Sequence, residues 1–481
     1  MRRVPNPAAV AALAGLTVFA LLAGGCTLAP KYERPSPQLP ANWTSGQPAS
    51  KTGQAPQGNA TLADWRQVVA DEPMQRLLEL ALANNRDLRV AALKIEKAQA
   101  QYQISRADLL PKINATSGAD MHRTPAKLAG TPVAVTSRTY SVGLGFSAFE
   151  LDLFGRVQSL KDAALEEFLA TEVSRKSVEL SLVAEVATAY LTLAADREHL
   201  ALAREILATE RDSHEVIRNR FEFGVANELD LSRAQTTVDT ARVQVARYQA
   251  QVTADENMLA LLAGQPLAAE QMPAQSLAEV APTLPVPAGL PSEVLTRRPD
   301  VLSAEHQLKA ANANIGAARA RHFPSISITG AVGTASTAVN GLFAGGSGLW
   351  SFAPQITLPI FHAGAISAGV KAAEADRDIL VAQYEKAVQT AFREVSDTLA
   401  QGASLATQVE AQTSLTTATA KSFELSTLRY EAGVDSFLSK LDAQRSHASS
   451  RQEFIAARLG RQTNILTLYK ALGGGWSAQG E

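Results

Sequence analysis

RVQSLKDAALEEFLATEVSRKSVELSLVAEVATAYLTLAADREHLALAREILATERDSHEVIRNRFEF, residues 156–223, runs for 68 residues without a glycine or a proline. The stretch is rich in Ala, Leu, Glu and Arg, which are good helix formers, and at 1.5 Å per residue one helix of that length spans about 100 Å. No compact domain buries such a rod. Its central part carries two apolar stripes, Leu180, Val183, Ala187, Tyr190 and Ala194 on one, and Leu182, Val186, Ala189 and Leu193 beside it. One stripe serves a two-stranded coiled coil, whereas two let a helix pack against a neighbour on each side, as in a closed ring of helices. Taken alone, the segment is consistent with either arrangement.

Working outward, Gly224 ends the rod, and a glycine there supplies the left-handed backbone that closes a helix and turns the chain back. The spacing predicts a return helix over 225–263, stopped by Gly264, Gln265 and Pro266. Ahead of the rod, one helix is expected from about Pro73 to Asn84 and another from Arg86 to Leu110, with Pro111 as its stop. The period then changes to alternation. Ile113, Ala115, Ser117 and Ala119 mark a modest strand, and Tyr140, Val142, Leu144, Phe146 and Ala148 a strong one. The apolar phase next shifts to Phe149, Leu151 and Leu153, as a bulge requires. The β-hairpin is therefore placed at about 112–154.

The same plan recurs. RPDVLSAEHQLKAANANIGAARARHFPSISITG, from Arg298, echoes NRDLRVAALKIEKAQAQYQISRADLLPKINATSG, from Asn85. SFAPQITLPIF echoes YSVGLGFSAFELDLF, and RYEAGVDSFLSKLDAQ echoes RFEFGVANELDLSRAQ. Offsets between matching landmarks stay near 210 residues: Pro324 against Pro111, Phe361 against Phe154, Gly433 against Gly224. The chain is a tandem duplication. The first repeat spans 61–263, a linker 264–290, and the second repeat 291–472 with a hairpin at about 325–361, a long helix 370–432 and a return helix 434–472. A short tail, 473–481, follows.

Residues 1–25 have the form of a secretory signal, with Arg2 and Arg3 ahead of an apolar run, and LLAGGC ends at Cys26, the only cysteine. A lone cysteine in that place is either acylated as in a bacterial lipoprotein or simply follows an ordinary cleavage site; the LLAGGC pattern favours acylation. Residues 26–60 are rich in Pro, Ser, Gln and Gly and read as an extended tether. Past the signal, no apolar run is expected to cross a membrane as a helix. A net charge of −2 gives no support to nucleic-acid binding. The seven histidines are scattered, and no HExxH, P-loop, nucleophile elbow or dinucleotide turn is present. Neither an enzyme, a metal site nor a cofactor is expected.

Two strands per repeat give four per chain, too few to close a barrel. Their apolar alternation, with Tyr140, Phe146, Trp350, Phe352 and Phe361 near the ends, is that of a membrane barrel with lipid on one face and a lumen of small polar residues on the other. Several chains must share it. The alternative is a periplasmic coiled-coil adaptor or scaffold lipoprotein without a pore, which has no use for a lipid-facing aromatic band.

The duplicated plan, the RYEAGVDSFLSKLDAQ turn, the YKALGGGW ending and the LLAGGC start resemble the TolC/OprM-like outer membrane factors, in their NodT-like lipoprotein branch. The resemblance implies a mainly α fold with a membrane β-barrel portion: a homotrimer with one twelve-stranded barrel in outer membrane lipids and a twelve-helix periplasmic α-barrel. It implies an exit channel served by a periplasmic adaptor and an inner-membrane pump of the resistance-nodulation-division type, with metal-export or protein-secretion channels as neighbouring possibilities. It places the turns at Gly224-Val225 and Gly433-Val434 against the adaptor. It further implies a periplasmic gate in which Asp442 forms a threefold ring and Leu438 an apolar constriction. Arg429 and Tyr430 would pair with Asp230 of the first repeat and hold the helices inward, with Ser439 standing where some relatives carry a second acidic residue.

Overall fold

The computed structural model describes residues 27–36, 40, 64–273, 276–284 and 292–475. The expected signal, Cys26 and most of the tether lie outside the described residues. Helices α1 (Trp65–Val68), α2 (Glu72–Asn84) and α3 (Arg86–Ala107) lead into strand β1 (Asn114–Thr124), a short helix α4 (Ala126–Ala129) and strand β2 (Val135–Leu151). The long helix α5 (Arg156–Glu222) and its return helix α6 (Glu228–Ala263) complete the first repeat. The second repeats the series as α7 (Pro299–Ala320), β3 (Ser325–Ser336), β4 (Gly348–Thr357), α8 (Ala365–Glu431) and α9 (Phe437–Ala471). Both long helices have 67 residues, and α3 and α7 have 22 each.

Contacts divide the chain into two units. The first draws on Lys94–Thr171 and Ser303–Tyr384 and holds a four-stranded antiparallel sheet in the order β1-β2-β3-β4. Its register sorts the side chains by chemistry. Tyr140, Val142 and Leu144 of β2 stand opposite Ala119, Ser117 and Ala115 of β1 and, on the other side, Ser336, Thr334 and Val332 of β3. Val332 and Ile326 in turn face Trp350 and Ile356 of β4. One face is thus predominantly apolar, and Leu144, Val332, Trp350, Phe352 and Ile356 are exposed on it. The opposite face carries Ser141, Gly143, Ser327, Gly333, Ser351 and Gln355. Gly330 lies under the Phe146 ring, where a Cβ would stand 2.9 Å from Cζ. The pairing register shifts between Phe146 and Phe149, where the apolar phase changes in the sequence. Ala148 takes φ 50° in this bulge and donates its N–H to Thr329 Oγ1 at 3.1 Å.

The segment 27–36 belongs to this unit in part and is extended but docked. Arg34 makes a two-point pair with Glu305 of α7, Nε to Oε1 at 3.0 Å and Nη2 to Oε2 at 2.6 Å, and the Tyr32 hydroxyl donates to the same carboxylate. Glu305 is buried, so its charge requires those partners.

The second unit draws on Glu172–Leu302 and Glu385–Glu481, with Ser36–Leu93. Its core gathers Met74, Leu77 and Leu78 of α2 with Leu182, Val186, Tyr190 and Leu193 of α5, Leu259 of α6 and Ile455, Leu466 and Tyr469 of α9. Of the two stripes, all positions are buried except Leu180 and Ala189, which pack at the edge of this core. The double stripe thus serves packing on two sides. Asp71 caps α2 at the Met74 N–H and also accepts the Tyr190 hydroxyl at 3.0 Å, which ties the small helix to the rod. A window of α5 is in fact long and apolar enough to cross a membrane, contrary to the sequence expectation, but over half of it is buried by neighbouring helices. Its apolarity belongs to the core.

Candidate functional site

The two hairpin turns of the second unit are built alike. At the first, the Gly224 N–H donates to Phe221 O at 2.9 Å and the Val225 N–H to Arg220 O at 2.8 Å; at the second, Gly433 reaches Tyr430 O at 3.0 Å and Val434 reaches Arg429 O at 2.9 Å. This pair of bonds satisfies the last carbonyls of each long helix and needs the left-handed backbone seen at Gly224 (φ 69°) and Gly433 (φ 74°). The return helices begin three residues later than the sequence predicts, at Glu228 and Phe437, because Asn227 and Ser436 act as N-caps and accept the Asp230 and Ser439 N–H groups. Five residues therefore separate the helices at each turn, 223–227 and 432–436. Val225 and Val434 are exposed on them, beside exposed Phe223, Leu229 and Leu428.

Next to the second turn, Arg429 forms a two-point pair with Asp435, Nε to Oδ2 at 2.6 Å and Nη2 to Oδ1 at 2.9 Å. The guanidinium holds the Asp435 carboxyl below its usual range. The expected pairing of Arg429 and Tyr430 with Asp230 is not made within the chain. Gly433 folds Asp435 back onto Arg429, so the nearest carboxylate takes the guanidinium, and Asp230 lies 3.9 Å from Arg233 on its own helix. Tyr430 instead accepts from Arg220 Nη1 at 2.7 Å, a contact between the two long helices. Arg220 and Lys440 also flank its ring at 5.5 Å each.

Behind these turns Ile217 of α5, Ala234 of α6, and Phe437 and Leu441 of α9 form a small apolar cluster. Leu438 and Asp442 follow on α9. Leu438 is 39% exposed and Asp442 is exposed, with no hydrogen-bond or ion-pair partner among the described residues. One heptad beyond Phe437, Gln444 Nε2 donates to Glu210 Oε1 of α5 at 3.0 Å, and Glu210 is 5% exposed. Burial pushes the Glu210 carboxyl above its usual range, against the Thr237 hydroxyl, Arg445 and Lys440, which draw it down. The sequence reading missed this contact, although the seven-residue spacing of Phe437, Gln444, Arg451 and Arg458 is visible in it. Among the described residues there is no cluster of three or more His, Cys, Asp or Glu side chains that could hold a metal ion.

Comparison with known proteins places this geometry. The family described as outer membrane efflux protein matches residues 77–265 and 290–474, which covers both repeats. The chain belongs to the outer membrane efflux protein family. It is 46% identical over 472 residues to the toluene efflux pump outer membrane protein TtgC of Pseudomonas putida, covering 97% of this chain and 96% of the relative. It is 43% identical over 465 residues to the outer membrane protein OprJ of Pseudomonas aeruginosa, covering 95% of each. Among solved structures, the open state of the Neisseria gonorrhoeae MtrE outer membrane channel superposes with a TM-score of 0.84 at 36% identity, covering 94% of this chain and 98% of that one. As an outer membrane efflux protein, the chain is a channel component of an efflux system in the outer membrane of a Gram-negative bacterium. Its relatives are channel proteins rather than enzymes.

Proposed function

We propose that the protein is the exit duct of a tripartite pump. Three copies close their four-stranded sheets into one twelve-stranded barrel, and their long helices and return helices into a periplasmic tunnel. Drugs or other small molecules pass through it passively from a resistance-nodulation-division type pump and its periplasmic adaptor, and the chain performs no chemistry on them. The observation that carries this reading is the exposed apolar face of a sheet whose outer strands, β1 and β4, have open edges. Open edges invite pairing with further copies, and an apolar band on one side with Ser and Gly on the other suits a wall between lipid and water.

Within this duct the turns at Gly224-Val225 and Gly433-Val434 meet the adaptor through their exposed valines. Leu438 and Asp442 line the periplasmic gate, where Asp442 has no partner among the described residues and stands ready to form a ring with its symmetry copies. Acylation of Cys26 adds a second hold on the outer membrane. A host lacking the gene is complemented with wild type and Cys26→Ser and supplied with a fluorescent efflux substrate and a fatty-acid probe. Wild type restores dye export, migrates as a trimer in mild detergent and takes the label, which Cys26→Ser does not. A protein that restores export while remaining a monomer contradicts the shared duct, and equal labelling of both forms contradicts acylation.

A further inference from the structure

The return helix α9 carries both gate residues, so whatever fixes α9 fixes the gate. The pair Arg429–Asp435 cannot do this, because both residues belong to one hairpin. Against its partner α8, α9 is held by hydrogen bonds from uncharged α8 side chains: Gln412 and Thr416 donate to the Ser450 carbonyl, Gln412 also to Glu453 Oε2 at 3.4 Å, and Thr419 meets the Ser450 hydroxyl at 2.7 Å. Against α5 of the other repeat, the contacts are of a different kind. Arg458 Nη1 lies 3.6 Å from Glu198 Oε2. Arg451 spans Glu205 with two bonds of 2.7 and 3.0 Å. Gln444 bonds the buried Glu210, and Phe437 joins Ile217 in the apolar cluster.

On α9 these four positions, Phe437, Gln444, Arg451 and Arg458, recur every seven residues. That is the period at which two helices keep one seam in contact along their length. The partners on α5 run in the opposite direction, from Ile217 through Glu210 and Glu205 to Glu198, so the seam is antiparallel. Its chemistry grades from apolar beside the turn, through a neutral amide on a buried carboxylate, to two arginine–glutamate pairs. Arg451 and Glu205 remain partly exposed, and Arg451 draws the Glu205 carboxyl below its usual range. The Arg451–Glu205 pair, with side chains 35% and 59% exposed, can separate into water at small cost, whereas Arg458 and Glu198, 19% and 22% exposed, stay largely buried at the far end of the seam.

From this we infer that the α5–α9 seam is a latch that sets the resting position of the gate helix, with Glu205 and Arg451 as positioning residues at its one exposed, releasable ion pair. The inference deepens the gate reading and rests on it. Neither residue lines the proposed gate, and both act through the placement of α9.

The test is a charge swap in the purified full chain, recorded as single channels in a planar bilayer. Arg451→Glu places two carboxylates in contact and is expected to raise the ratio of high- to low-conductance occupancy about fivefold, the scale set by surface ion-pair energies. Glu205→Arg is expected to act in the same sense, and the double swap Glu205→Arg/Arg451→Glu to return the ratio to that of wild type. Arg451→Gln, a milder loss, serves if a single reversal fails to assemble, and is expected to raise the ratio by a smaller factor. Assembled singles that record like wild type, or a double swap that records like the singles, overturn the latch. The outcome separates from the readings beneath it. A wild type that does not conduct at all removes the duct itself, and an intact swap effect with unchanged ion selectivity in Asp442→Ala removes Asp442 from the pathway while leaving α9 as the gate helix and the seam as its latch.

Discussion

Asp442, which has no hydrogen-bond or ion-pair partner among the described residues, would take its proposed role from the proposed threefold symmetry. Three exposed carboxylates brought around one axis attract cations and resist full ionisation together. Asp442→Ala is expected to lower the cation-over-anion permeability ratio, read from reversal potentials in a salt gradient; an unchanged ratio would remove Asp442 from the pathway. Glu210 gives the opposite case, a carboxyl buried within its own chain. Its proton affinity in the folded state exceeds that in the unfolded chain, so the folded state binds the proton more tightly. Stability from this group is therefore greatest below the ordinary glutamate range and falls as pH rises through its elevated folded value. Glu210→Gln keeps a hydrogen-bonding partner for Gln444 and removes that fall. The variant is expected to melt a few degrees above wild type at neutral pH and to show no such gain near pH 4 in detergent thermal scans. An equal gain at both pH values would show that ionisation of Glu210 is not the cause.

At the level of elements, Gly433 is surrounded by open space, since a Cβ built on it meets nothing within 4 Å. Gly433→Ala is therefore expected to cost only the left-handed backbone penalty, about 1–2 kcal/mol, whereas Gly433→Trp adds bulk at the turn. If the turn docks an adaptor, Gly433→Trp abolishes dye export while trimer level and membrane content stay normal; loss of the trimer instead assigns the glycine to helix closure alone. The helices were the most legible part of the sequence, because the absence of glycine and proline and the apolar stripes act over many turns. Their ends were less so. The second long helix begins at Ala365, five residues ahead of the expected 370, because Gly364 at φ 84° turns the chain there and Gly369 is tolerated inside the helix. The second hairpin ends at Thr357, short of Phe361, since Pro359 has no N–H to offer a ladder. The contacts around and behind the second turn were least legible. Arg429 to Asp435 depends on how one turn closes, and Glu210 to Gln444 joins residues 234 positions apart.

For the whole molecule, the duplication explains why one chain can offer matching surfaces twice. The left-handed glycines Gly155, Gly224 and Gly264 have counterparts at Gly364, Gly433 and Gly473, each 209 residues on. The same three corners are thus cut in both repeats, and each repeat supplies two strands, one long helix and two shorter ones to a common plan. The sheet, with its exposed aromatic and aliphatic face and two open edges, is complete only when further copies close it. Reconstitution of the purified, full-length protein into a planar lipid bilayer tests this most directly. The account predicts discrete, voltage-tolerant single-channel steps from a species that runs as a trimer in unheated detergent gels and loses conductance when heated to monomers. A stable, folded protein that inserts into the bilayer as a monomer, or a trimer that carries no current under any condition that opens its variants, would contradict it.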